Sequence, residues 1–231
     1  MAETGAFVFL HASNRTIDGA WPVASGLPDA RFARMPGYDS ESAEPVPFDQ
    51  DAWESRLLRA CPDGAAVVAH SFGGPVAMRA AARRADLVQA LVLFEPAAYT
   101  LARGTTAVED HIRRMQPVLD RAGALDAATF AVAFGDAMSG RPGASAPTTA
   151  AELLAAERQR MLPGPWTLDT PDRTGVPTLV VTGGWNDEYE TIAACIDGAA
   201  HVVLAGHGHR PQDHQDATRV VLDFVRAASP R

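Results

Sequence analysis

Short, uninterrupted apolar runs alternate along this chain with longer stretches of helical periodicity. Ala6–Leu10, Ala65–Ala69, Ala90–Phe94, Thr178–Val181 and Val202–Ala205 are each a few residues long and rich in Val, Leu and Phe. None alternates polar with apolar positions, as a half-solvated strand does, so they read as strands buried on both faces of a parallel sheet. A weaker run, Arg31–Met35, closes at Pro36-Gly37. Helices are predicted between the strands. Asp51–Ala60 carries Trp53, Leu57 and Leu58, Gly74–Ala85 is rich in Ala, and Asp213–Ala228 carries Val220, Val221, Phe224 and Val225. Strand–helix–strand alternation predicts an α/β fold with a doubly wound, mainly parallel sheet of about six strands. Right-handed crossovers and a site at the carboxyl ends of the strands follow from that architecture.

Residues 99–172 break the alternation. Helical patterns at Thr106–Arg121, Asp126–Met138 and Thr149–Met161 are separated by Ser139-Gly140-Arg141-Pro142-Gly143 and followed by Leu162-Pro163-Gly164-Pro165, with no strand among them. A helical block inserted between two strands of one sheet is expected to form a lid, 99–172, over a core made of 1–98 and 173–231. The alternative is padding along one sheet edge.

Composition narrows the field. Apolar residues make up 47% of the 231 and charged residues 21%, which fits a folded globular chain and excludes wholesale disorder, collagen-like repeats and coiled coil. Acidic residues number 28 against 20 basic ones, a formal charge of −8. Such a chain has no electrostatic reason to hold a phosphate backbone, and no nucleic-acid partner is expected. Cys61 and Cys195 are too few for a disulfide framework and are expected as reduced thiols. The run Ala6–Leu10 is stopped by His11, too short for a signal-peptide core or a membrane span. No membrane partner and a cytoplasmic location are expected.

The strongest chemical signal is Val67-Val68-Ala69-His70-Ser71-Phe72-Gly73-Gly74. An apolar strand runs into Ser71, then a glycine pair, then a helix, a context in which a strained turn exposes a nucleophilic hydroxyl above the sheet. Small residues are needed on both sides of the turn, and Ala69 and Gly73 supply them. The Phe72 N–H opens the helix and is placed to donate to an oxyanion. The competing reading is an ordinary serine before a glycine turn. A serine needs a base, usually histidine. The cluster Gly206-His207-Gly208-His209-Arg210-Pro211 follows the last strand, and His209, which precedes the Arg-Pro lead into the final helix, is chosen over His207. His70 is expected to pack on the opposite side of its strand. The cluster with His214 lacks a matching carboxylate or cysteine spacing, so no metal is expected.

These motifs resemble those of the α/β-hydrolase superfamily. Leu10-His11-Ala12-Ser13 is similar to its oxyanion loop, with Ala12 in place of a glycine. Arg31–Tyr38 is similar to its strand and Pro-Gly-Tyr segment, Ala69–Gly74 to its nucleophile elbow, Pro177–Gly183 to the strand before its acid loop, and Gly208-His209 to its histidine loop. The match runs in order over nearly the whole chain outside the inserted block. It implies a Ser–acid–His triad and an oxyanion hole formed by the Phe72 and Ser13 amides. The chain begins almost directly at the strand before the oxyanion loop, so the family's leading hairpin is expected to be absent. The acid position is irregular. The third residue past Gly183 is Asn186, which carries no charge; Asp187 fits only with a one-residue insertion at Gly184. Some superfamily members take their acid from the preceding strand end, in an acid-Pro-Ala sequence similar to Glu95-Pro96-Ala97. Glu95 is the choice because its register needs no insertion, with Asp187 as the alternative.

The expected protein is a serine hydrolase acting on an ester, thioester or lactone, with no cofactor and a small acyl compound as its partner. A lyase or biosynthetic enzyme using the same Ser/His pair is the alternative, and a non-catalytic binding module a further one. Trp185 and His11 are the expected pocket walls. Tyr99, Ile112, Met115, Phe130, Phe134, Met138 and Trp166 either line an acyl pocket or pack the lid on the core, with packing expected for most of them.

Overall fold

The computed structural model describes residues 5–13, 20–40 and 43–228. Six strands form one sheet: β1 (Phe7–Leu10), β2 (Ala30–Ala33), β3 (Ala65–His70), β4 (Val88–Phe94), β5 (Thr178–Thr182) and β6 (Ala200–Val203). Their order is β2-β1-β3-β4-β5-β6, and every neighbouring pair is parallel. The chain builds outward from β1 to β2 and then returns across β1 to β3. That reversal leaves a crevice at the carboxyl ends of β1 and β3, where α/β sheets of this kind hold their ligands.

The central strands are buried on both faces, which explains their unbroken apolar runs. Val67, Ala69, Leu91, Leu93 and Val180 pack against α1 (Gln50–Ala60), α2 (Gly73–Arg83) and α6 (Asp187–Cys195). Ala66, Val68, Ala90, Val92, Leu179 and Val181 pack on the other face against Trp21 and α7 (Ala217–Ala228). Between β4 and β5 stand α3 (Thr106–Leu119), α4 (Ala127–Ser139) and α5 (Ala150–Arg160). This block shares the core of the sheet through Val108 and Met115 and builds a small one of its own from Val118, Ala122 and Phe130. No helix among the described residues is long and apolar enough to cross a membrane. Cys61 and Cys195 are free thiols, and burial pushes that of Cys61 up to about 11.

Three elements differ from the sequence expectation. The last strand lies two residues earlier than its apolar run, at Ala200–Val203, because it is a largely exposed edge strand whose first two residues, Ala200 and His201, bury too little to extend the apolar run. The final helix starts at Ala217 rather than Asp213, because a 3₁₀ turn at Pro211–Asp213 comes first. The pattern reading also missed α6 altogether. Its buried face is only Glu188, Tyr189, Ile192 and Ala193, too short for helical periodicity to stand out, and its signal is the Asn186 cap, whose side chain accepts from the Tyr189 N–H at 3.2 Å.

Candidate active site

Ser71 sits where β3 turns into α2, with φ +50°. A non-glycine residue there costs about 1–3 kcal/mol, so the surroundings must hold it. They do so through backbone hydrogen bonds: Ser71 N–H donates to Phe94 O at 3.0 Å, and Gly74 and Ala97 donate to Ser71 O at 2.8 and 2.9 Å. The two glycines after it are there for space. A Cβ on Gly73 would lie 2.7 Å from His11 O, and one on Gly74 2.7 Å from the Pro96 Cβ.

Glu95 occupies a second strained position, φ +43°, at the end of β4. It is completely buried. One carboxylate oxygen accepts from the Gly183 N–H at 2.6 Å; the other accepts from Trp185 Nε1 at 2.9 Å and from His209 Nδ1 at 3.1 Å. His209 Nε2 lies 3.0 Å from Ser71 Oγ. Because a carboxylate only accepts, Nδ1 carries the proton and Nε2 is left as the acceptor for the serine. The histidine loop is held from two sides. His70 Nε2 donates to His209 O at 2.9 Å with the two rings 4.8 Å apart, and Gly183 lies so close that a Cβ there would be 2.1 Å from Gly208 O. His70 is thus buried, as expected, but not on the side away from Ser71: its ring packs on the histidine loop and borders the same cavity as Ser71.

The structure therefore brings Ser71, His209 and Glu95 into one hydrogen-bonded chain. Asp187 stands apart: it is an exposed residue in the first turn of α6, and among the described residues no hydrogen bond or ion pair joins it to His209. His207 turns away and meets His214 edge to face at 5.8 Å.

Phe72 and Ser13 both border the cavity in front of Ser71. Neither backbone N–H donates to another group among the described residues. The Ser13 amide belongs to the same trans peptide as the Ala12 carbonyl, so the two point in opposite directions. His11 Nδ1 donates to that carbonyl at 2.7 Å.

This corrects two expectations about the pocket. His11 is no wall: its ring is buried against Tyr38 and Trp53, at 4.5 and 5.6 Å. Burial lowers its pKa to about 4, opposed by the Ala12 hydrogen bond and assisted by Arg158. Trp185 does not line the cavity either, because its indole N–H is turned onto Glu95. The cavity, about 290 Å³, is walled mainly by the inserted block. Of the seven candidates, Tyr99, Met115, Phe134, Met138 and Trp166 line it, so packing alone accounts for fewer of them than expected. Phe130 is fully buried away from it.

Comparison with known proteins matches residues 7–222 to the Alpha/beta hydrolase family. The chain belongs to that family. Among solved structures, an alpha/beta hydrolase from Sphaerobacter thermophilus has 20% identity and a TM-score of 0.62, covering 95% of this chain and 92% of that one. A thermophilic esterase from Thermogutta terrifontis has 20% identity and a TM-score of 0.62, covering 98% and 92%. A serine hydrolase involved in carbazole degradation has 18% identity and a TM-score of 0.59, covering 97% and 92%. At these identities the likeness is one of fold. No curated protein matches the chain.

Within this alpha/beta hydrolase, sequence reasoning missed Tyr189, His111 and Gln159, all of which border the cavity. The Tyr189 ring packs 4.8 Å from that of His209, and its hydroxyl is 3.3 Å from that of Tyr99. Burial, and then the Glu95 charge, hold the Tyr189 hydroxyl well above the usual tyrosine range, so it stays a proton donor. Tyr99 stacks on His111 at 4.6 Å, and His111 Nδ1 lies 2.8 Å from Glu188 Oε1. Recognising the Asn186 cap would have placed Tyr189 in the first turn of a helix. Gln159 has no comparable signal, because a glutamine in a helix of mixed polarity normally faces water.

Proposed function

We propose that this alpha/beta hydrolase is a serine hydrolase that cleaves an ester, thioester or lactone through an acyl-enzyme. The observation that carries the reading is the chain Ser71 Oγ–His209 Nε2 at 3.0 Å and His209 Nδ1–Glu95 at 3.1 Å, opening on a largely apolar cavity. Ser71 Oγ attacks the carbonyl carbon while its proton passes to His209 Nε2. The Glu95 carboxylate stabilises the imidazolium so formed. The Phe72 and Ser13 N–H groups hold the negative oxygen of the tetrahedral intermediate. His209 returns the proton to the leaving oxygen or sulfur, and the C–O or C–S bond breaks. Water, deprotonated by His209, then attacks the acyl-enzyme and releases the acid and Ser71. Residues 99–172 act as a lid whose side chains receive the acyl group and exclude water.

The test is turnover of p-nitrophenyl esters from acetyl to octanoyl, together with labelling by a fluorophosphonate. Ser71→Ala is expected to remove labelling and to lower kcat by about 10⁴-fold or more while the fold survives. Near-normal turnover in the purified variant would overturn the assignment.

A further inference from the structure

Strand pairing does not orient the amide that this reading assigns to the oxyanion. β1 ends at Leu10, and Ser13 lies beyond it, outside the ladder. Within the loop, His11 Nδ1 holds the Ala12 carbonyl of that peptide at 2.7 Å, and the Ser13 residue itself is held by side chains from elsewhere. Tyr38 Oη donates to Ser13 O at 2.6 Å, and Gln159 Nε2 donates to Ser13 Oγ at 3.2 Å. The carbonyl carbon, the side chain and the N–H nitrogen are three substituents of one tetrahedral Cα. Fixing the first two sets where the nitrogen lies, and the His11–Ala12 O hydrogen bond then sets the direction of its N–H.

Gln159 comes from the far end of α5, 146 residues away in sequence. It is buried, at 8% exposure, as is its neighbour Arg158, at 5%. Two consecutive buried polar residues in the last turn of a helix need a reason. Arg158 donates to Ser40 O and Ala43 O, each at 2.9 Å, and lies over the Tyr38 ring at 5.0 Å. It thereby steadies the tyrosine that holds the Ser13 carbonyl. Gln159 holds the Ser13 side chain directly, and a hydroxyl that accepts from an amide keeps its own proton. The inserted block thus reaches the loop after β1 directly through Gln159, and through Arg158 the segment after β2 that carries Tyr38.

We propose that Gln159 is a positioning residue: it fixes Ser13, and through Ser13 the second oxyanion amide, so that the oxyanion hole is complete only when α5 is docked. This rests on the serine-hydrolase reading above. A donor displaced by about 1 Å loses on the order of 10- to 100-fold in rate. Because the loss falls on the transition state, it should appear in kcat and leave KM within about twofold.

The experiment compares wild type with Gln159→Leu, Gln159→Glu, Ser13→Ala and the Gln159→Leu/Ser13→Ala pair. Readouts are p-nitrophenyl butyrate kinetics, the rate of fluorophosphonate labelling and thermal unfolding. Gln159→Leu is expected to lower kcat and the labelling rate about 10- to 100-fold with KM little changed. Gln159→Glu, nearly the same shape, is expected to be at least as damaging, because a carboxylate would accept a hydrogen bond from the Ser13 hydroxyl, reversing the donor, and set negative charge beside the oxyanion. If Gln159 acts through Ser13, the double variant is no worse than the poorer single. Full additivity, a loss confined to KM, or equal labelling of wild type and Gln159→Leu overturns the inference alone. A wild type that neither turns over esters nor labels overturns it together with the reading beneath it. Should Gln159→Leu unfold, Gln159→Glu and Ser13→Ala still decide the question through their rates.

Discussion

Replacing Glu95 by glutamine changes one atom in a group whose every neighbour is a donor. Its carboxylate accepts from the Gly183 N–H at 2.6 Å, Trp185 Nε1 at 2.9 Å and His209 Nδ1 at 3.1 Å, with no exposure to water. A glutamine offers one acceptor oxygen and one NH₂. If the oxygen faces Gly183, the NH₂ opposes both Trp185 and His209. The imidazole then moves its proton to Nε2, where it cannot take one from Ser71. If the amide is turned, the NH₂ meets the Gly183 N–H instead. Either arrangement leaves a buried donor without an acceptor, a loss of about 1–3 kcal/mol. For a domain of this size that is a Tm lower by roughly 2–12 °C. The rate effect is larger, because the preferred arrangement holds the base in the wrong tautomer; kcat should fall about 10³- to 10⁴-fold. The assay is p-nitrophenyl butyrate turnover beside Asp187→Asn, with both folds checked by circular dichroism and thermal unfolding. Asp187→Asn should stay within about twofold of wild type, since it alters only an exposed residue at the start of α6. A folded Glu95→Gln within tenfold of wild type, or a large loss confined to Asp187→Asn, would refute the assignment of the acid.

His11 and the inserted block offer further tests. The pKa of His11 lies near 4 in the fold against 6.5 when unconstrained, so the unfolded chain binds more protons between those values. Its contribution is fully present above about pH 6.5 and is lost as pH falls to about 4, amounting to roughly 3 kcal/mol. Urea unfolding at pH 7 and pH 4.5 should show that loss in wild type and a smaller one in His11→Phe; equal losses would exclude His11 as a source. Trp166 lines the cavity and donates from Nε1 to Gln116 at 2.9 Å. Trp166→Ala should lower kcat/KM for octanoyl relative to acetyl esters by about tenfold, because the longer acyl chain would have less apolar wall to bury against. An unchanged ratio along the ester series would make the inserted block structural only.

The elements that came through in the sequence are those whose burial is uniform. β3 and β4 lie in the middle of the sheet with both faces covered, so Ala65–Ala69 and Ala90–Phe94 are apolar without interruption, and the pattern marks the two strands to within two residues, missing only Val88-Gln89 and His70 at their ends. Ser71 was legible for a related reason. Only a glycine pair lets α2 pass His11 O and Pro96, and a strand, a serine and two glycines leave that trace in the primary structure. His209 was legible from the loop after the last strand. β6 and α6 were misplaced or missed because an edge strand and a short capped helix bury too little surface to impose a pattern.

Tertiary structure decided what depends on distance between remote segments. Glu95 was open without an insertion and Asp187 with a one-residue insertion; only the meeting of the β4 end with the Gly183 and Gly208 loops sets Glu95 against His209, and only the Asn186 cap draws Asp187 into a helix. Trp185 and His11 were aromatic residues beside the expected site, and nothing local indicated that one would donate to Glu95 and the other be buried between Tyr38 and Trp53. Gln159 is the extreme case. Its partner lies 146 residues away, and a hydrogen bond between two side chains requires neither of them to follow a periodicity. Burial repeats along the chain and can be read there, whereas a directional bond between distant residues exists only once the chain has folded.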